Sequence, residues 1–567
     1  MKNPVHSVLV AIHIVIIALT LNGCSGGPSG DAWRYDPGVP GQVTGLTAEP
    51  GSGLVSLSWT GVSSAKSYNV YYVSSLTESG VNKKNAIVVN TPSSKIKIDG
   101  LDNNITYYFM VTAVNRDGEG AESSQVFATP SPPSNADLVG TWYFHTLVSG
   151  AGARWERGTI TVDNACAVTV SDFLDSAGNT LPPAGFNLSV NQDGLVTQSG
   201  AGIWSNFHGT MGSRKNMMVA SWSPSATSCA VTIFQKKRAA SDYTIEDISG
   251  TGSGQNPYNP YIQGNGPTRF AYHQLYSGSG TDWEYGNGKI GQHGNMWLEQ
   301  YKDAIYWDYS TPDYKIATGY EFLSKATSFG IDQDGLITEY WNYNNVVNPV
   351  TCPSFNNLVP RTPHEVVFTG RMTADKTVVV GVATRTDAYG ANPQYFLRIM
   401  QLCFIPVDEA LPVYTMNDLG GSYKFHKLSS SSGSPHWAYG VMSITGSGVT
   451  SFPYYTDSVS GSISYGDTFT LAYYSDPGTK AYSDFANFVS PNVAGGAASR
   501  YYSGGGAIHT YYDFYTTGTD VSNPATWTVK AMSSNYYNEH CSLSFYKDLI
   551  VMTRNDSSGN SLIIGLK

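Results

Sequence analysis

Charge is scarce in this chain. Of its 567 residues, 13% are Asp, Glu, Lys or Arg, about half the usual ~25% of globular domains. No Lys/Arg cluster occurs and the formal net charge is −10, so nucleic acid and anionic lipid surfaces are poor partners. Long apolar runs are missing as well. The one notable run is Val8–Leu21, 14 residues, and a membrane-spanning helix needs ~20. The six cysteines form no Cys-x-x-Cys and no Cys-x-x-Cys-His, and no His-Glu-x-x-His occurs. That excludes covalent c-type haem and any recognisable zinc motif, so neither a metal nor another cofactor is expected. No Gly-x-Ser-x-Gly nucleophile elbow is present either.

What the chain has in abundance is Tyr (39), Trp (12) and Gly (59). These residues, with many Thr, Ser and Val and no long helical periodicity, point to an all-β exported protein. The length is too great for one core and suggests ~3–5 domains.

Residues 1–24 carry a basic start (Lys2), the short apolar run, and Leu21-Asn22-Gly23-Cys24. This order marks a secretory signal. Its ending resembles the lipobox of bacterial lipoproteins. The resemblance implies lipidation of Cys24, which becomes the first mature residue and anchors the chain to the cell envelope. Ser25 after the cysteine is compatible with outer-membrane sorting. Residues 25–41, rich in Gly, Pro and Ser, read as a flexible tether.

Alternation then begins. Val55, Leu57 and Trp59 face one way, and Tyr68, Val70 and Tyr72 form a second strand of the same period. Gly100-Leu101 and the strand from Tyr107 to Asn115 follow. Residues 42–130 resemble a fibronectin type III module. Leu101, six residues before Tyr107, resembles its tyrosine corner, and Trp59 matches its core tryptophan. The resemblance implies a β-sandwich spacer or binding module. Bacterial examples accompany extracellular, often carbohydrate-active, proteins. No Arg-Gly-Asp occurs, so integrin-type adhesion is not suggested.

After a Pro-rich linker, one pattern recurs three times, over residues 137–240, 244–405 and 415–567. The copies show Phe144-His145-Thr-Leu147 with Trp155-Glu-Arg-Gly158, then Tyr272-His273-Gln-Leu275 with Trp283-Glu-Tyr-Gly286, then Phe425-His426-Lys-Leu428 with Trp437-Ala-Tyr-Gly440. Asn191-Gln-Asp193-Gly194 matches Asp332-Gln-Asp334-Gly335, and Lys215 matches Lys376. Copy three keeps Lys547-Asp-Leu-Ile-Val-Met-Thr, and its middle, 454–525, is expanded and rich in Tyr, Ser and Gly. Copy one holds about eight short alternating runs, with Asp193-Gly194 between two of them as a tight hairpin requires. Eight strands suit a small up-and-down barrel per copy, and Gly140-x-Trp142 resembles the first strand of calycin barrels. The alternative is two blades per copy, closing one six-bladed propeller.

The candidate residues follow from this repetition. His145, His273 and His426 can share a metal if the copies close into one ring. A histidine hydrogen-bonded to a neighbouring segment serves the same position. Trp155, Trp283 and Trp437 follow Gly/Ser-rich loops, where an open indole stacks on a sugar ring or plugs a barrel end. Asp193-Gly194 and Asp334-Gly335 read as turns rather than calcium loops. Glu156, Glu284, Asp282 and Asp308 are available acids, but nothing in the sequence brings a pair together. Two disulfides, Cys166 with Cys229 and Cys352 with Cys403, are expected in an oxidising compartment, leaving Cys541 over. The reading is a lipid-anchored, non-enzymatic envelope protein that displays its β repeats to a glycan or envelope protein. A carbohydrate-active enzyme with an accessory module, and a structural matrix component, stand as alternatives.

Overall fold

The computed structural model describes residues 38–180, 185–200, 202–237, 243–249, 268–280, 282–290, 295–303, 327–341, 368–385, 393–403, 416–430, 434–446, 449–459, 463–464, 468–473, 514–516, 538–556 and 559–567. Alternating residues of the first domain pair into β1 (Thr44–Pro50), β2 (Leu54–Thr60), β3 (Ser67–Ser74), β4 (Ile87–Thr91), β5 (Lys95–Asp99), β6 (Tyr107–Asn115), β7 (Gly118–Glu119) and β8 (Val126–Ala128). β1, β2 and β5 make one sheet and β3, β4, β6, β7 and β8 the other. Val55, Leu57 and Trp59 turn inward and are buried, and Trp59 meets Tyr68 edge to face at 5.2 Å between ring centroids. The Tyr107 hydroxyl accepts the Asp102 N–H at 3.1 Å, tying the connecting loop to its strand as the tyrosine corner requires.

The next segment begins with a one-turn helix, α1 (Asn135–Leu138), and eight strands: β9 (Gly140–Gly150), β10 (Arg154–Val162), β11 (Ala167–Asp175), β12 (Phe186–Val190), β13 (Leu195–Ser199), β14 (His208–Met211), β15 (Met217–Ser225) and β16 (Ser228–Lys236). They close into an up-and-down barrel, with β16 pairing back onto β9. Strict in–out alternation on β12 drives the closure, because one face is packed and the other wet. The interior is aromatic: Trp204 lies edge to face against Phe144 (5.6 Å) and Phe234 (5.1 Å). α1 caps the open end, and Trp142 Nε1 donates to the Leu138 carbonyl at 2.7 Å. At the Asp193-Gly194 turn, the Asn191 carboxamide oxygen accepts the Asp193 and Leu195 N–H groups, and Gly194 takes φ +80°, a region a side chain disfavours.

A second barrel follows α2 (Glu246–Ser249): β17 (Thr268–Gly278), β18 (Asp282–Ile290), β19 (Asn295–Asp303), β20 (Thr327–Ile331), β21 (Leu336–Trp341), β22 (Phe368–Met372), β23 (Val378–Arg385) and β24 (Gln394–Cys403), again closed. The third follows α3 (Met416–Leu419): β25 (Gly421–Ser430), β26 (His436–Ile444), β27 (Val449–Asp457), β28 (Ile463–Ser464), β29 (Thr468–Tyr473), β30 (Phe514–Thr516), β31 (Asn538–Leu543), β32 (Leu549–Asp556) and β33 (Gly559–Leu566). A β26–β27 pairing closes this sheet too, with β28 appended. The architecture is therefore sandwich plus barrels, and the propeller alternative is set aside.

Val39–Lys567 form one compact unit, because the barrels share a second core outside their walls. Leu147, Val219 and Ile233 of barrel one, Leu275, Val380 and Leu397 of barrel two, and Leu428, Val551 and Ile564 of barrel three pack into a single buried cluster. The strand faces that meet there are apolar on both sides, so these strands lose the wet face of an isolated barrel.

One end of this axis is closed by three equivalent hairpin turns. Lys215, Lys376 and Lys547 all take φ near +60° (59°, 61° and 60°). The residue before each lysine meets its counterparts on the axis. Arg214 bonds Asp375 at 2.5 Å and lies 3.7 Å over the Tyr546 ring. Burial alone raises the Asp375 carboxyl, yet Arg214 and the Thr373 and Thr377 hydroxyls hold it well below the usual carboxylate range. The first sandwich docks on this end. Ser52 N donates to Ser213 O (2.7 Å), Arg214 Nε to Ser56 Oγ (3.0 Å) and Lys95 Nζ to Asp375 O (2.9 Å).

Candidate functional site

The three histidines do not converge on one point. Each is buried (1–2% exposed) on the first strand of its barrel and faces the next barrel. His273 of barrel two meets Ser542 Oγ (2.8 Å) and Thr553 Oγ1 (3.2 Å) of barrel three. His426 of barrel three meets Thr210 Oγ1 (3.1 Å) and Ser221 Oγ (3.0 Å) of barrel one. His145 of barrel one faces barrel two, where the equivalent positions are Arg371 and Val382. The ring is thus directional, one to two, two to three, three to one. Burial depresses all three imidazoles to about 3, with Arg157 and Arg371 adding to the effect at His145 and His208 at His426. Each is neutral at physiological pH. Among the described residues, no group of three or more His, Cys, Asp or Glu is placed to hold a metal.

The seam between barrels one and two departs from the other two. Val382 has no hydroxyl, and His145 Nδ1 is buried with no hydrogen-bond partner. Arg157 lies directly across from His145 in the β9–β10 register. Arg371 packs over Tyr143, two residues from His145, at 4.2 Å from its ring. At the three-to-one seam, the counterpart of Arg157 is Tyr439, which stacks on His208 at 4.3 Å.

The tryptophans lie in the same seams. Trp283 and Trp437 are buried, and the half-buried Trp155 donates Nε1 to Thr384 Oγ1 at 2.8 Å across the one-to-two seam. Trp437 Nε1 donates to Ser223 Oγ at 2.7 Å across the three-to-one seam. A sugar-stacking face needs an open indole. These indoles instead spend their faces on the neighbouring barrel, which corrects the expectation of an aromatic glycan platform.

The acids separate into two kinds. Glu156 takes Arg154 Nε at 2.8 Å, and its carboxyl is raised by burial against the pull of that arginine. Glu284 is drawn into the interior of barrel two, where it accepts from Tyr272 (2.5 Å) and Tyr276 (3.3 Å). In the same interior, Arg398 pairs with Glu339 (2.9 Å) and donates to Gln274 (2.6 Å). Burial lowers the Arg398 guanidinium, but Glu339 and the nearby acid and tyrosines raise it above its ordinary value. Sequence reasoning found Glu284 but missed Glu339 and Arg398, which sit on strands at inward positions that usually take apolar residues. Asp282 is buried at the start of β18, its Oδ1 accepting the Trp283 N–H at 2.8 Å, and Asp308 lies outside the described residues.

The cysteine pairing is also corrected. Cys166 and Cys229 are free and buried. They point to different places: Cys166 lies in the interior cluster of barrel one, and Cys229 Sγ contacts Pro435 O of barrel three at 3.3 Å on the outer wall. Cys541 is buried, Cys352 lies outside the described residues, and so does the side chain of Cys403. Cys24 lies outside them as well.

Over 96 residues the chain is 38% identical to an amylopullulanase of Thermoanaerobacter thermohydrosulfuricus, a match covering 17% of this chain and 6% of that enzyme. The chain thus spans only a small part of that relative's length. Among solved structures, the FN5 domain of Drosophila Lar is 20% identical, covers 17% of this chain and all of its own length, and superposes with a TM-score of 0.15. A variant of transferrin binding protein B from Haemophilus parasuis is 9% identical, with 88% of this chain and 94% of that chain covered and a TM-score of 0.19. At these TM-scores neither likeness says anything further of this chain. Residues 39–129 match the family model Fibronectin type III domain, and together with the sandwich and the Tyr107 corner this makes the segment a fibronectin type III domain.

Proposed function

We propose that this chain is an exported, non-catalytic display protein of the cell envelope. It is held to a membrane by a lipid on Cys24, with outer-membrane placement. Residues 137–567 are three copies of one barrel unit, and the barrel ends far from the fibronectin type III domain meet a glycan or protein partner. One observation carries the reading: the residues best suited to chemistry or stacking are committed to the seams. His273, His426, Trp155 and Trp437 each bond a hydroxyl of the adjoining barrel. Such use builds a rigid head rather than a cleft. The fibronectin type III domain covers one end of the axis, which leaves the opposite end for a partner. The run from Lys2 to Cys24 supports the anchor.

Two experiments test it. Mass spectrometry of the mature protein is expected to find a diacyl or triacyl Cys24 at the N-terminus, and Cys24→Ala is expected to release the chain into the soluble fraction. An unmodified Cys24, or cleavage elsewhere, removes the anchor. A glycan array and an envelope-protein crosslinking screen are expected to yield a partner whose binding is blocked by labels on the far barrel ends. One observation favours a second reading, a carbohydrate-active enzyme: the shared identity with an amylopullulanase. Turnover of pullulan or starch by the purified chain, lost on Glu284→Gln, would establish it.

A further inference from the structure

The seam between barrels one and two has the makings of a binding site that the three-to-one seam lacks. At the three-to-one seam a buried imidazole is satisfied on both nitrogens by Ser221 and Thr210, and Tyr439 covers it. At the one-to-two seam those positions carry Val382, Arg371 and Arg157. His145 is 2% exposed, and its Nδ1 has no partner. A buried, unpaired polar nitrogen is destabilising, so an unfilled one invites an occupant.

The charges around it favour an anion. Arg157 faces His145 across the β9–β10 pair and makes no ion pair or hydrogen bond among the described residues. Arg371 lies on the same face over Tyr143 and donates to the Asp334 carbonyl at 3.1 Å. Asp332 is 3.8 Å from it and half exposed. Lys237 adds a third cation beside Tyr143, although Asp334 holds it at 3.0 Å. The two guanidinium groups are close enough for Arg371 to depress Arg157, after burial, and both depress His145. Like charges placed together without a counterion are unfavourable, whereas guanidinium pairs suit bidentate oxyanions.

We propose that the seam between barrels one and two binds a single small oxyanion, bridging Arg157 and Arg371 and accepting a hydrogen bond from His145 Nδ1. Its class is phosphate or sulfate, free or as a substituent of a larger molecule, with carboxylate as the weaker competitor. The neutral imidazole serves as donor through the tautomer protonated at Nδ1, and no proton is taken up.

The test uses the full chain in detergent. Thermal unfolding is followed with phosphate, sulfate, acetate and chloride at matched ionic strength. Phosphate or sulfate is expected to raise Tm by about 2 °C or more over chloride, in a saturable way. Equilibrium dialysis with radiolabelled phosphate is expected to give one ion per chain. Arg157→Gln and Arg371→Gln should each abolish the excess shift, while Tyr439→Phe in the three-to-one seam should keep it. Sulfated and phosphorylated monosaccharides, added in place of the free ions, separate a substituent from a free anion. If both variants fail to fold, the dialysis on the unaltered chain decides. No saturable phosphate or sulfate binding, a Tm response equal to that of chloride, or a response surviving both substitutions overturns the proposal.

Discussion

The three-to-one and one-to-two seams occupy the same strand positions and are chemically opposite. In the first, His426 sits between two hydroxyls, Trp437 donates to Ser223, and His208 stacks on Tyr439. In the second, Trp155 donates to Thr384 as its counterpart does to Ser223, but the imidazole keeps an empty nitrogen and two arginines replace the tyrosine and threonine. The tryptophan contact is therefore the constant part of the joint, and the histidine surroundings are the variable part. The apolar cluster on the axis supplies adhesion common to all three seams, which leaves the polar layer free to change.

Acid tests what the seams have in common. All three imidazoles fall to about 3 in the folded chain, against ~6.5 unfolded. The unfolded state then binds more protons between these values, so stability is full above pH ~6.5 and is lost as pH falls toward 3. Three such groups give a slope of about 4 kcal/mol per pH unit near pH 5. Denaturant titrations at pH 7, 6 and 5 should show it, and His145→Gln and His426→Gln should each remove about a third. A flat profile would mean that the imidazoles are not buried neutral.

Tryptophan substitutions test the constant part. Trp437 is buried, and Trp437→Ala should cost about 3–5 kcal/mol. Trp155 is half-buried, and Trp155→Ala should cost about 1–2 kcal/mol. Calorimetry of both variants checks the order, and equal losses would contradict the difference in burial between the two indoles. Histidine substitutions sharpen the variable part. His426→Leu strands two buried hydroxyls and should cost about 2–3 kcal/mol, whereas His145→Leu should cost under about 1 kcal/mol in anion-free buffer. Urea midpoints read the difference directly, and a larger loss at His145 contradicts the seam description. The smallest effect is expected at the domain joint. A Cβ on Gly51 would stand 2.5 Å from Ser213 O, so Gly51→Ala should loosen the fibronectin type III domain by about 1 kcal/mol. Faster protease cleavage around residues 130–135 would report it.

Much of this was legible in the residues. Alternation gave all eight strands of barrel one, Asp193-Gly194 and Asp334-Gly335 gave their hairpins, and Trp59 with Tyr107 gave the sandwich. The repeated His and Trp positions were visible as well, but not what they touch. Strand period tells which face a side chain takes and says nothing of which barrel lies against it. His426 finds Thr210 and Ser221 216 and 205 residues away. The axis was hidden for a different reason. Arg214, Asp375 and Tyr546 share one position and no chemistry, and only the lysine after each marks them as equivalent. The expected Cys166–Cys229 bridge failed because one thiol faces the interior of its barrel and the other the wall.

The one-way sense of the ring bears on the order of assembly. A chain emerging from its N-terminus completes barrel one, then barrel two, then barrel three. The two-to-three and three-to-one joints both wait for the last barrel. Only the one-to-two joint is able to close early, and it is the joint with opposed arginines and an empty imidazole nitrogen. The half-built head is thus held by its least settled contact, and the two hydroxyl-lined seams lock together only when the final barrel arrives.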